Sequence, residues 1–156
     1  MSGKSRYLAI LVVFLGIVSL AVGIAFVAQG QAKANYMKNA MREEQITLGL
    51  SESEIAEGNV VDSSGEALKA ADTVREHRHT TAPTYSDALG GGRFDPTNPT
   101  HLSYAQAMNI ENYLYLSVAS FGLTTVVIGT GVFMIVAGIA LGATGVVLYR
   151  LARRAS

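Results

Sequence analysis

The chain has 156 residues, of which 49% are hydrophobic and 15% are charged, and its net charge is zero. Soluble globular domains carry about a quarter charged residues, so this composition favours the membrane class. The chain contains no cysteine, which excludes a disulfide framework even for a segment that faces an oxidising compartment.

The first long uncharged window follows Arg6 and ends before Lys33. Residues 7–28 within it are apolar over about the ~20 residues that a helix needs to cross a bilayer, so we predict a transmembrane helix there, after an N-terminal tail of residues 1–6.

A cleaved signal peptide is the alternative for this window, because Lys4 and Arg6 resemble a basic n-region and Ala32-Lys33-Ala34 offers a cleavage site. The apolar run is longer than the usual h-region of ~7–15 residues, which favours the uncleaved helix. Under both interpretations the segment that follows lies outside.

The middle segment, residues 29–112, is polar. A helical stripe beyond residue 28 extends the first helix outward, and Ser63 with Glu66 forms a capping-box pattern that predicts a short helix over 64–77. Residues 80–100 contain all three prolines and the triplet Gly90-Gly-Gly92, so we predict irregular structure there. The triplet with Arg93 is interpreted as a flexible turn rather than a phosphate-binding loop.

The second window predicts one long helix over 113–149 with its membrane part at about 123–148, followed by a basic tail, 150–156. We expect this helix to begin near Ser103, which can cap it together with Gln106. Both helices are then longer than the bilayer is thick, and we expect their outer parts to form an antiparallel stalk.

Charge separates cleanly along the chain. The two tails hold five basic residues and no acid, whereas the segment between the windows holds seven basic and twelve acidic residues, a net charge of five negative. Short flanks rich in Lys and Arg stay on the cytoplasmic side. We therefore predict a multi-pass protein of the bacterial cell membrane with both termini in the cytoplasm.

Small residues recur every seven positions in both windows. Ala9, Gly16 and Gly23 do so in the first, and Gly131, Gly138 and Gly145 in the second, where Gly138 and Gly142 also form a GxxxG pattern. Small residues let helix backbones approach closely in lipid. These glycines are therefore predicted helix-packing residues, either between the two helices of this chain or, above all for the GxxxG, toward a second copy or another membrane protein.

Metal or acid–base chemistry has few candidates in this sequence. His77, His79 and His101 are the only histidines, and Asp72, Glu76 and His79 share one face of the predicted short helix. A solvated, salt-bridged face explains the same spacing, because Lys69, Arg75 and Arg78 are interleaved. We accordingly expect no metal, no cofactor and no enzymatic activity.

The membrane windows themselves contain no Asp, Glu, Lys, Arg or His, which argues against a pump, a proton relay or a channel. Several of their hydroxyl groups can bond to the backbone of their own helix, among them Ser19, Ser117, Ser120, Thr124, Thr125 and Thr130. The basic tail, Arg150, Arg153 and Arg154, is typical of an orientation signal and lipid-headgroup anchor rather than of a nucleic-acid patch.

Three short stretches resemble a family of small two-span bacterial membrane proteins of unknown role, common in actinobacteria. They are Glu43-Glu-Gln-Ile-Thr47, His77 with Thr84-Tyr85, and the run from Ser117 to Thr125. Members often carry an automatic label naming an aromatic ring-opening dioxygenase. That chemistry needs an iron site of two histidines and a carboxylate in a dry pocket, and this chain has no domain large enough to build one.

These observations predict an all-α membrane protein: an antiparallel two-helix transmembrane hairpin with a small, partly irregular extracytoplasmic segment. The expected function is that of a non-enzymatic accessory, assembly or scaffold subunit in the cell envelope. Its expected partners are the lipid bilayer and either a second copy or a larger membrane-protein complex, and no nucleic acid. The alternative is an extracytoplasmic module that binds or senses a ligand or cation.

Overall fold

The computed structural model describes residues 3–154, with side chains from residue 5 onward. Residues 1–2 and 155–156, which belong to the predicted tails 1–6 and 150–156, lie outside that range. Regular structure within it is helical: α1 is Gly3–Glu43, α2 Glu52–Ala56, α3 Ser64–Thr81, α4 Tyr85–Ala88 and α5 Pro99–Arg154. Helices α1 and α5 are long and apolar enough to cross a membrane, so the coarse prediction of an all-helical chain with two such helices is confirmed.

Helix α5 begins earlier than predicted, and the proposed start at Ser103 with Gln106 is wrong. Asn98 caps the helix: its Oδ1 accepts a hydrogen bond from the Thr100 N–H at 2.9 Å and another from the His101 N–H at 3.4 Å. Pro99 occupies the first helical position, where its missing N–H costs nothing. The helix therefore starts at Pro99 rather than near Ser103, which lies inside it.

The predicted capping box at the start of α3 is present. The Ser63 hydroxyl accepts from the Glu66 N–H at 3.3 Å, and Glu66 Oε2 accepts from the Ser63 N–H at 3.0 Å. The helix begins at Ser64 as predicted but continues to Thr81 instead of ending at 77. Ala82, which precedes a proline, is extended and ends it.

Two short helices were not predicted. Ser51 and Glu54 form a second capping box ahead of α2, and Thr84 caps α4 by accepting from the Asp87 N–H at 3.2 Å. Helix α4, the last residues of α3 and the first residues of α5 all fall within residues 80–100, so that stretch is less irregular than predicted.

The chain divides into two compact units. We call the described residues up to Lys33 and from Thr124 onward the helix-pair unit, and Ala34–Leu123 the central unit. The central unit has a hydrophobic core of buried residues from α1, α3, α5 and the loop before α3. They are Met41, Val61, Ala67, Ala70, Ala71, Val74 and Leu114. Four of these lie on α3, where the three alanines allow its backbone to pack closely.

Loops of the central unit are fixed to this core. Asp62 pairs with Lys38, Nζ to Oδ1 at 3.3 Å, and with Arg42, both from the end of α1. Gly49 has φ +77°, and a methyl group there would lie 3.1 Å from the Ala70 nitrogen. Glycine at position 49 thus satisfies both the backbone conformation and the close approach to α3.

Candidate functional site

In the helix-pair unit, α1 and α5 touch through glycine backbones. A methyl group placed at Gly16 would lie 2.6 Å from the Gly142 nitrogen and 2.8 Å from the Gly138 oxygen. One placed at Gly23 would lie 2.7 Å from the Gly131 oxygen. Distances this short are below ordinary side-chain contacts, so these positions of α1 accept only glycine without movement of the backbone.

The α5 side of this contact is equally close. A methyl group at Gly131 would lie 2.7 Å from the Gly23 oxygen, and one at Gly138 would lie 2.7 Å from the Gly16 oxygen. At Gly145 it would lie 2.6 Å from the Val13 Cγ2 atom. Neither helix therefore leaves room for a side chain at these positions. We call this contact between α1 and α5 the glycine seam.

Two further contacts belong to the seam and were missed by the sequence reasoning. Gly30 is one, because a methyl group there would lie 2.6 Å from Ile128 Cγ1. It continues the seven-residue spacing of Ala9, Gly16 and Gly23, so the signal was available. The other is Ser19, whose hydroxyl donates to the Met134 carbonyl at 2.8 Å, across the helices rather than within its own as predicted. Ser117 does bond within its helix, to the Tyr113 carbonyl at 3.0 Å.

The seam contacts follow one order along the two helices: Val13 meets Gly145, Gly16 meets Gly138, Gly23 meets Gly131, and Gly30 meets Ile128. Residue numbers rise along α1 as they fall along α5, so the two segments run in opposite directions within this unit.

Gly142 differs from the other predicted packing glycines. Its backbone touches Gly16, but apart from its chain neighbours and the backbone of its own helix no described atom lies within 4 Å of where its own Cβ would be. The GxxxG pattern is therefore divided, since Gly138 faces the seam and Gly142 presents its Cα hydrogen to open space. Gly122, in the central unit, and Gly129, in the helix-pair unit, likewise have no described atom within 4 Å of a Cβ.

The central unit contains a buried ion pair that sequence reasoning missed. Arg78 Nε of α3 donates to Glu111 Oε2 of α5 at 2.8 Å, and the two side chains are only 11% and 9% exposed. Arg78 Nη1 also donates to the hydroxyl of Tyr104, and its guanidinium lies over the Tyr104 ring at 5.0 Å from the centroid. The hydrogen bond to Glu111 raises the pKa of Arg78.

A signal for this pair was present in the sequence. Glu111 lies on a stripe of α5 that otherwise buries apolar and aromatic side chains at spacings of three and four, including Tyr104 and Leu114. An acid on such a stripe requires a basic partner, because an unpaired buried charge is costly.

The residues of α3 that were considered as weak metal candidates form other contacts or are exposed. Asp72 Oδ1 accepts from the Tyr115 hydroxyl at 2.8 Å and pairs with Arg75 Nη2 at 3.3 Å. That hydrogen bond, helped by burial, holds the pKa of Tyr115 above its ordinary value. Glu76 and His79 are exposed on the same helix.

The histidines are not brought together. His77 and His79 are exposed on α3, whereas His101 is on α5, where its Nδ1 accepts from the Asp95 N–H at 3.1 Å. Within the described residues, no three His, Asp or Glu side chains are placed to hold a metal ion.

Neither a family model, nor a curated protein, nor a solved structure matches this chain.

Proposed function

We propose that this chain is a non-enzymatic integral membrane protein of the bacterial cell envelope that acts by helix contact, as an accessory, assembly or scaffold subunit. Its two apolar helices form an antiparallel transmembrane hairpin, its termini lie in the cytoplasm, and residues 29–112 lie outside. It associates with a second copy or with a larger membrane-protein complex.

The observation that carries the proposal is the apolar helix surface that the glycine seam leaves uncovered. The glycine seam occupies one face, yet only 11% of the most apolar window of each helix is buried within the chain. The core helix of a soluble protein would be mostly buried. In lipid, apolar bulk does not drive association, so a helix recruits partners where small residues let backbones meet. Gly142 offers such a surface, because its backbone lies against Gly16 in the seam while its own Cβ position is open.

An uncleaved first span fits the contacts better than a leader that is removed. Residues 32–34, the candidate cleavage site, lie inside α1. Gly16 and Gly23 hold the preceding residues against α5, and cleavage would discard both contacts.

Gly142→Leu tests the contact function. Because its Cβ position is open, the variant should insert and fold like the wild type while running as a smaller species in mild detergent, with less co-purifying partner. Ile139→Leu, at an exposed position of the same helix, is the matched control and should change neither property. Unchanged assembly in a well-folded Gly142→Leu protein would sink the contact proposal.

The second candidate function is an extracytoplasmic binding module, and one groove of the central unit favours it. The groove is about 450 Å³ and is lined mainly by apolar side chains of α1, of α5 and of the loop after α1, and that loop also contributes Glu44. That volume is within the range of small-molecule sites. Mass spectrometry of the purified protein distinguishes the candidates, because a bound small molecule or metal favours binding and a discrete protein partner favours contact.

A further inference from the structure

A groove lies at the end of the helix-pair unit where α1 begins and α5 ends. Its volume is about 400 Å³, and it is lined by Ile10, Val13, Val146, Tyr149, Arg150 and Arg153. The first three are aliphatic and the last three carry polar groups. The groove thus has an apolar part and a basic part, joined along one surface.

Close helix approach shapes the apolar part. A methyl group at Gly145 would lie 3.1 Å from the Ala9 oxygen, so the two backbones nearly touch there. Ile10 and Val146, the neighbours of these two residues, are 53% and 43% exposed. They leave a trough open to the surroundings, and in a bilayer hydrocarbon chains would fill it.

The basic part has the chemistry of a phosphate site. Arg150 and Arg153 are three residues apart on α5 and therefore lie on one side of the helix. Guanidinium groups bind phosphate oxygens in a two-pronged geometry. The side chains that line the groove carry two positive charges and no negative one. Tyr149 adds an aromatic side chain typical of the membrane interface.

We propose that this groove binds one anionic phospholipid, with an acyl chain along Ile10, Val13 and Val146 and its phosphate held by Arg150 and Arg153. Basic pockets between membrane helices on the cytoplasmic side suit such headgroups. The inference rests on the membrane placement proposed above, and it adds a specific ligand that the contact function does not require.

Native mass spectrometry of the full chain tests it, with protein released from nanodiscs that contain equal amounts of phosphatidylglycerol and phosphatidylcholine. We expect one phosphatidylglycerol to remain bound in preference to phosphatidylcholine. Each arginine near an anionic surface contributes roughly a fivefold factor, so Arg150→Gln should reduce the preference about fivefold and Arg150→Gln with Arg153→Gln more. Glycerol phosphate should not displace the lipid, because it lacks the chain that fills the apolar part.

Two matched controls separate the groove from general surface charge. Arg154→Gln also removes one positive charge from the tail, but Arg154 does not line the groove. This variant should therefore still prefer phosphatidylglycerol to phosphatidylcholine. Val146→Phe should fill the trough and displace the lipid, whereas Val147→Phe, at the neighbouring exposed position, should not.

Equal retention of the two lipids by the wild type, or equal losses in Arg150→Gln and Arg154→Gln, would overturn the lipid site while leaving the contact function intact. The contact function fails separately, through unchanged assembly of Gly142→Leu. Release of the protein from membranes by alkaline carbonate would overturn both.

Discussion

The same two helices are held together differently in the two units. In the helix-pair unit, α1 and α5 meet through glycine backbones, and the Ser19 hydroxyl donates a hydrogen bond to the Met134 carbonyl at 2.8 Å. In the central unit they pack around α3, with alanine, valine and leucine side chains in the core and the Arg78–Glu111 ion pair beside it. Close backbone contact dominates the first unit, and apolar burial with paired charges dominates the second.

The difference follows from the solvent that we propose for each unit. In water, burying apolar side chains is itself favourable, so even a core rich in small side chains such as alanine and valine stabilises the central unit. In lipid this gain disappears, and helices adhere where small residues maximise contact. The comparison predicts that substitutions in one unit leave the other intact, and four variants test it.

The largest effect is expected from Glu111→Ala in the central unit. It leaves the buried Arg78 without its carboxylate, which should lower the free energy of unfolding of this unit by about 3 kcal/mol. Hydrogen exchange measured by mass spectrometry should accelerate in α3 but not in the first apolar window of α1. The double variant Arg78→Met with Glu111→Leu should recover much of the loss. Faster hydrogen exchange in both units would contradict the view that each unit is stabilised by its own contacts.

Gly138→Leu should show the reverse pattern. Its side chain must enter space where a methyl group would already lie 2.7 Å from both the Gly16 oxygen and the Leu20 nitrogen. Overpacking of this kind costs about 2–3 kcal/mol, so the helix pair should separate in detergent while α3 keeps its exchange protection. Gly129→Leu, in the same unit and at an open position, is the size-matched control. Normal stability of Gly138→Leu would mean that the seam is not tightly packed.

Tyr115→Phe should have a smaller effect, restricted to the central unit. It removes the hydrogen bond to Asp72, which is worth about 1 kcal/mol. Because the folded pKa of Tyr115 is raised, this stabilisation is complete below the unfolded pKa of about 10 and is lost as pH rises through the folded value. Unfolding curves of the wild type and the variant should therefore converge in alkaline solution. A constant difference up to the most alkaline pH would contradict the assignment.

The smallest effect is expected from Gln45→Gly just beyond α1. Gln45 has φ +51°, a left-handed conformation that glycine adopts without strain. The substitution should raise the free energy of unfolding of the central unit by about 0.5 kcal/mol, since the loss of the Gln45 side-chain bond to the Arg42 carbonyl offsets part of the gain. Gln45→Ala, which loses the same bond but keeps the strain, should be destabilising.

Local signals made much of the fold predictable. Uncharged windows revealed both long helices, the Ser63 and Glu66 pattern located the start of α3, and the seven-residue spacing identified five glycines that lie in the seam. Each of these signals depends on a few neighbouring residues or on one helical period.

What escaped prediction depends on tertiary arrangement or on weaker signals. Arg78 and Glu111 are 33 residues apart, and nothing local to Arg78 indicates its partner. The division of the GxxxG also required knowing which side of α5 faces α1. The early start of α5 was missed because Asn98-Pro99 was interpreted as part of a loop, although this pair also suits a helix N-terminus.

Cysteine labelling tests the central claim, that the helix-pair unit lies in lipid and the central unit in the outer aqueous space. The chain has no cysteine of its own, so single substitutions at Ser2, Ser86 and Ser156 report without background. With a membrane-impermeant thiol reagent on intact cells, the account predicts labelling of Ser86→Cys alone, and of all three after permeabilisation. Labelling of Ser156→Cys in intact cells, or protection of Ser86→Cys, would contradict the proposed membrane placement.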